Sequence, residues 1–207
     1  SSRGSTPLIL NFIRENEYAA ITIYGARQVG KTTVAVRVFG EDMDIVSLDI
    51  LENRTLANIN PKLFLETYPW PIIIDEIQKA APLIDEIKNI IDTEKRRCLN
   101  EDRPVPLMYV LTGSNQFELK KLVADSLAGR TAILHMAPLA NNEIEGLTGD
   151  WFNPDLEVLK DKYRQYKNHD LYRGRKEIFV KIFQGGMPEY LAKDLDREIF
   201  FRSYVAT

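Results

Sequence analysis

Cysteine is almost absent from this chain: Cys98 stands alone among 207 residues. That excludes an intrachain disulfide framework and a cysteine-built zinc site, and it suits a reducing compartment. Histidine is nearly as scarce, with two copies. His135 falls within a strand-like run and reads as structural, and His169 has no metal-binding neighbour in sequence, so no zinc site is expected. No apolar run approaches the roughly 20 residues that span a bilayer, and the N-terminus lacks the charged-then-apolar order of a secretory signal. The chain is therefore expected to be soluble and cytoplasmic, without a membrane partner. An excess of basic charge is missing too: 27 Lys and Arg face 30 Asp and Glu, a formal net charge of -3. Net charge thus gives nucleic acid no support as a partner.

What is present is an alternating pattern. Ala19 to Tyr24 reads as a strand that runs into Gly25; a helix follows from Lys31 to Gly40; Ile45 to Ile50 reads as a second strand, and a helix leads to a short apolar third strand, Ile72 to Ile74. This alternation builds a parallel sheet covered by helices. Pro82 opens a helix with Leu83, Ile84, Ile87, Ile90 and Ile91 on one stripe. Leu107 to Thr112 makes a fourth strand, a helix carrying Leu119, Leu122, Val123 and Leu127 ends at Gly129, and Thr131 to Met136 makes a fifth. From Trp151 the pattern is helical only, with stripes Leu156, Leu159, Tyr163, Tyr166 and Ile178, Phe179, Ile182, Phe183. The expected organisation is an α/β core over 1–148 and a small helical lid over 149–207, punctuated by Gly185, Gly186 and Pro188.

The chemistry-bearing residues sit at strand ends. Gly25, Ala26, Arg27, Gln28, Val29, Gly30, Lys31 and Thr32, with Thr33 following, place two glycines, a lysine and a hydroxyl between a strand and a helix. Backbone N–H groups of such a loop form an anion nest at the helix N-terminus; Lys31 reaches β and γ phosphates, and the Thr32 hydroxyl ligates Mg²⁺. Asp75 and Glu76 end the third strand. Alone, an acidic strand end is ordinary surface. Joined to Lys31, it offers Asp75 to the metal through water and Glu76 as a general base for the attacking water. At the end of the fourth strand, Asn115 is the first choice for sensing the γ phosphate, with Thr112 and Ser114 in reserve; turn chemistry explains the same residues. Arg130, between the helix ending at Gly129 and the fifth strand of this pattern, reads either as an arginine supplied to a neighbouring subunit's phosphoryl group or as a surface ion pair.

At these residues the sequence resembles prokaryotic AAA+-like P-loop ATPases. The resemblance runs through Gly25 to Thr33, Asp75-Glu-Ile-Gln-Lys79, Leu111-Thr-Gly-Ser-Asn115, Ser126-Leu-Ala-Gly-Arg130, Pro138-Leu139, Gly185-Gly-Met-Pro-Glu189 and Phe201 to Thr207. It implies a RecA-like core with a five-stranded parallel sheet, ATP and Mg²⁺ as ligands, Lys31, Thr32, Asp75 and Glu76 as nucleotide and metal residues, Asn115 at the sensor position and Arg130 at the arginine-finger position. It also implies a lid at Gly185 to Pro188, a homo-oligomer, and a C-terminal effector domain beyond Thr207, where the helical pattern breaks off. The stretch from Gly149 to Arg175 is longer than the family pattern.

Two other functions fit the same residues. A P-loop phosphotransferase acting on a small molecule would use Arg164, Arg173 and Arg175 as a basic lid, but Glu76 beside Asp75 suits activation of water better than its exclusion. An ATP-held switch or scaffold with negligible hydrolysis is the other. Arg164, Lys167, Arg173, Arg175 and Lys176 read first as a solvated face. The absence of an Asn-Lys-x-Asp motif argues against guanine specificity.

Overall fold

The computed structural model describes residues 18–144, 156–167, 175–193 and 195–206. Trp151, His169 and Arg173, named above, lie outside them, as do the side chains of Tyr166, Lys167 and Arg175.

Five strands form one parallel sheet: β1 (Ala20–Tyr24), β2 (Asp44–Ser47), β3 (Ile72–Asp75), β4 (Tyr109–Gly113) and β5 (Thr131–His135). Their order is β2-β3-β4-β1-β5. The sequence carries this order in its polarity. β1 and β4 are buried at every residue, as strands flanked on both sides and covered on both faces must be, whereas the edge strands alternate or open, with Ile45 and Ile133 about half exposed. A buried polar pair inside the sheet is self-satisfying: the Thr22 and Thr131 hydroxyls on adjacent strands lie 3.0 Å apart.

Helices α1 (Lys31–Phe39), α2 (Leu51–Ile59), α3 (Pro61–Thr67), α4 (Ala81–Asn100) and α5 (Gln116–Ser126) connect the strands, with a 3₁₀ turn at Ile77–Lys79. The stripe on α4 is buried at Leu83, Ile84, Ile87 and Ile91, and each such side chain contributes about 1.5–3 kcal/mol through burial.

Between β2 and β3 the structure departs from the single expected helix. Asn60 and Pro61 split it, because the Asn60 side chain accepts from the Leu63 N–H at 3.0 Å and proline occupies the first helical turn. β2 also ends earlier than expected. The Ser47 hydroxyl accepts from the Asp49 N–H at 3.2 Å and turns the chain before Ile50.

The chain divides into two compact units between Ala137 and Pro138, ahead of residue 148. Leu139 belongs with the helical unit because its N–H donates to the Gly186 carbonyl at 2.7 Å. The two backbones touch so closely that a Cβ on Gly186 would lie 2.2 Å from the Leu139 carbonyl oxygen. This unit contains α6 (Asn141–Ile144), α7 (Leu156–Lys167), α8 (Arg175–Gln184), α9 (Pro188–Ala192) and α10 (Arg197–Ala206). Tyr190 packs on Phe200 and Phe201, and the Arg197 guanidinium lies 3.6 Å from the Phe183 ring centroid. Ile178, Phe179, Ile182 and Phe183 on α8 remain half or more exposed.

Candidate functional site: the carboxyl edge of the sheet

β1 delivers the chain into the glycine loop, and α1 begins at Lys31. Two glycines are required by geometry. Gly30 has φ 90°, a left-handed conformation that favours glycine. A Cβ on Gly25 would stand 2.1 Å from the Met136 carbonyl oxygen, so the loop starts pressed against the backbone just past β5. Inside the loop Lys31 is 5% exposed, and its Nζ donates to the Ala26 carbonyl at 2.8 Å. Burial pushes the Lys31 ammonium below its ordinary range, opposed by the negative charges of Glu76 and Asp75 and assisted by Arg27. A buried cation held open by a loop of backbone N–H groups is a receptor for an anion.

β3 brings two carboxylates to the same edge, and each has its own partners. Asp75 Oδ1 accepts from the Thr32 hydroxyl at 2.7 Å and from the Thr112 hydroxyl. The Thr32 and Asp75 oxygens are hard donors side by side, which suits Mg²⁺. Among the described residues no group of three or more His, Cys, Asp or Glu could hold a metal. An ion here would take its remaining ligands from phosphate and water.

Glu76 turns away from this pair. Its backbone is left-handed at φ 57°, unusual for a residue with a side chain. Its Oε2 accepts from the Ser114 N–H at 3.2 Å, the Ser114 hydroxyl at 2.7 Å and Gln78 Nε2 at 2.5 Å. Gln78 pays for this position, since its Oε1 is buried without a hydrogen-bond partner, a state that costs about 1–3 kcal/mol. Sequence reasoning assigned no role to Gln78, although it stands in the same Asp-Glu-x-Gln run.

The sensor candidates separate. Thr112 touches Asp75 and Ser114 touches Glu76, while the exposed Asn115 caps α5, its side chain accepting from the Glu118 N–H at 3.3 Å. Arg130 lies elsewhere. Its carbonyl accepts from Ala20 at the start of β1, so it sits at the amino edge, a strand rise of about 13 Å from the loop that follows Tyr24. Its guanidinium grips Asp92 on α4 through Nε at 2.6 Å and Nη2 at 2.9 Å. That hydrogen bond, more than the accompanying charge, holds the Asp92 carboxyl below its ordinary range. In the helical unit, exposed Arg164 pairs with Asp161 at 3.0 Å. No described helix is long and apolar enough to cross a membrane.

Comparison with known proteins bears on the family and the fold. Over 133 residues the chain is 29% identical to two uncharacterised proteins, one of Mycobacterium bovis and one of Mycobacterium tuberculosis, an alignment covering 63% of this chain and 27% of theirs. The chain thus spans about a quarter of those relatives' length. Among solved structures, a Walker-type ATPase of Pyrococcus abyssi shares the fold at a TM-score of 0.53 and 16% identity, over 92% of this chain and 65% of that one. A family model described as an AAA domain matches residues 17–145, and, in keeping with its five-stranded parallel sheet and glycine loop, the chain belongs to that family of AAA+-like P-loop ATPases.

Proposed function

We propose that this chain binds ATP with Mg²⁺ at Gly25 to Thr33 and hydrolyses it, Glu76 taking a proton from the attacking water. The observation that carries the reading is the division of labour at the end of β3: Asp75 is bonded to Thr32 of the phosphate loop, while Glu76, the next residue, is held apart from it by Ser114. One carboxylate is placed to serve a metal and the other to serve water.

The loop N–H groups and Lys31 hold the β and γ phosphates. Thr32 and Asp75 would hold Mg²⁺, Asp75 through water, and the ion would supply charge neutralisation to the phosphates. As water attacks the γ phosphorus, an oxygen–phosphorus bond forms, the bond to the bridging oxygen breaks, ADP leaves, and the water's proton passes to Glu76. Arg130 cannot reach its own chain's loop, and its part is to stabilise the phosphoryl group bound by a neighbouring copy. This reading makes the active form a homo-oligomer. The helical region, 149–207 by its sequence pattern, acts as a lid, and ATP state is passed to a partner or a C-terminal effector domain in the cytoplasm.

Steady-state phosphate release from Mg-ATP tests the reading in the chain and in Glu76→Gln. The expected outcome is turnover by the wild type, rising per chain with protein concentration, and ATP binding without turnover by Glu76→Gln. If both bind ATP and neither releases phosphate, the core is a nucleotide-held switch. Release that needs an added small-molecule acceptor would make it a phosphotransferase.

A further inference from the structure

The contacts of Glu76 converge on a single oxygen. Ser114 reaches Oε2 through both its N–H and its hydroxyl, and Gln78 Nε2 reaches the same atom from the opposite side in sequence. A carboxylate gripped at one oxygen by three donors has a fixed plane, and its second oxygen has a fixed direction. The Gln78 amide is itself immobilised. It lies against Gly113 at the end of β4, where a Cβ would come within 2.4 Å of Gln78 Oε1 and 2.7 Å of Leu119 Cδ2. The amide's orientation follows from chemistry: turned over, it would set its oxygen against the Glu76 carboxylate and lose the only donor it offers there.

Packing alone does not explain a glutamine at this position. Its Oε1 is buried and unpartnered, and an apolar side chain of similar size would fill the space without that loss. The glutamine's one directed contact is with the general base.

We propose that Gln78 is a positioning residue for hydrolysis: with Ser114 it anchors Glu76 Oε2 and thereby aims Oε1 at the attacking water, and Gly113 exists to let its amide approach. The inference rests on the ATPase reading above. It adds that the Asp-Glu-x-Gln run and the Gly-Ser pair ending β4 are one device, the first supplying the base and the second the wall it is held against.

Gln78→Met tests it, because methionine keeps the length and loses the donor. Three quantities are read on the same preparation: kcat, the dissociation constant for a fluorescent ATP analogue, and the melting temperature without nucleotide. Misaiming the base should lower kcat by as much as about a hundredfold, with analogue affinity unchanged and melting temperature equal to or above wild type. Ser114→Ala, which keeps the backbone N–H, should give a smaller loss of kcat with the same affinity. A kcat within about twofold of wild type in Gln78→Met would overturn the inference, as would a loss that follows a fall in affinity or in melting temperature. A rise in kcat would overturn it as well, by showing that the glutamine restrains the base. A wild type that releases no phosphate at all defeats the ATPase reading and this inference with it, whereas an active wild type with an indifferent Gln78→Met defeats this inference alone.

Discussion

The two ends of the same sheet are built on opposite principles. At the carboxyl edge, groups are held in costly states: Lys31 is buried with its ammonium turned to a carbonyl, Glu76 sits in a left-handed backbone, and a glutamine oxygen has no partner. At the amino edge, Arg130 and Asp92 satisfy each other through two parallel hydrogen bonds at the surface. The first arrangement is costly as it stands. The second is complete in itself. Local discomfort therefore marks the site more clearly than the presence of charge does.

The largest test of this contrast is Lys31→Ala. It should abolish ATP binding at concentrations that saturate the wild type, as read by a fluorescent analogue, while the nucleotide-free protein melts no lower than wild type because a buried charge has been removed. A clear drop in melting temperature would show that the lysine supports the fold and would break the comparison.

Arg130→Ala asks whether the amino edge is as self-contained as it looks. If it serves a neighbouring copy, phosphate release should fall by on the order of 10³ at concentrations where copies associate. Mixing Arg130→Ala with Lys31→Ala should restore part of it, each supplying what the other lacks. Stability should change by about 1 kcal/mol, the upper end for a surface ion pair, because this one is only partly exposed. A silent mixture together with unchanged release would reduce Arg130 to its ion pair. That pair has its own signature in acid. Because Arg130 holds the Asp92 carboxyl below its ordinary value of 3.8, its contribution is complete above that value and is lost as pH falls through the lowered one. Asp92→Asn should remove this part of the acid-side dependence in a melting series.

The smallest effect belongs to Asn115. As the cap of α5 it should cost about 1 kcal/mol on replacement by alanine and leave phosphate release unchanged. A loss of turnover at full stability would return it to the sensor role.

How much of this was readable in the sequence depended on whether the deciding interactions were local. β1, β3 and β4 announce themselves as runs dominated by apolar and β-branched residues because both faces are covered, and the phosphate loop is legible because its parts are contiguous. The break at Asn60-Pro61 was equally local and carried a recognisable signal. The clamp on Glu76 was not legible, since Ser114 lies 38 positions away and the contact depends on a backbone turn at Glu76 that nothing in its residue type suggests. Arg130 shows the intermediate case. Its junction between helix and strand was clear, but which edge of the sheet it occupied followed only from the pairing of β5 with β1.

The contact between Gly25 and the Met136 carbonyl has a consequence for biosynthesis. The first glycine of the phosphate loop takes its place against a backbone atom made more than a hundred residues later. A nascent chain that has passed Thr32 already contains every residue of the loop, yet it lacks the carbonyl that the loop abuts. The packing of the loop on that carbonyl, and the demand for glycine that comes with it, therefore belongs to the chain only once β5 has been added.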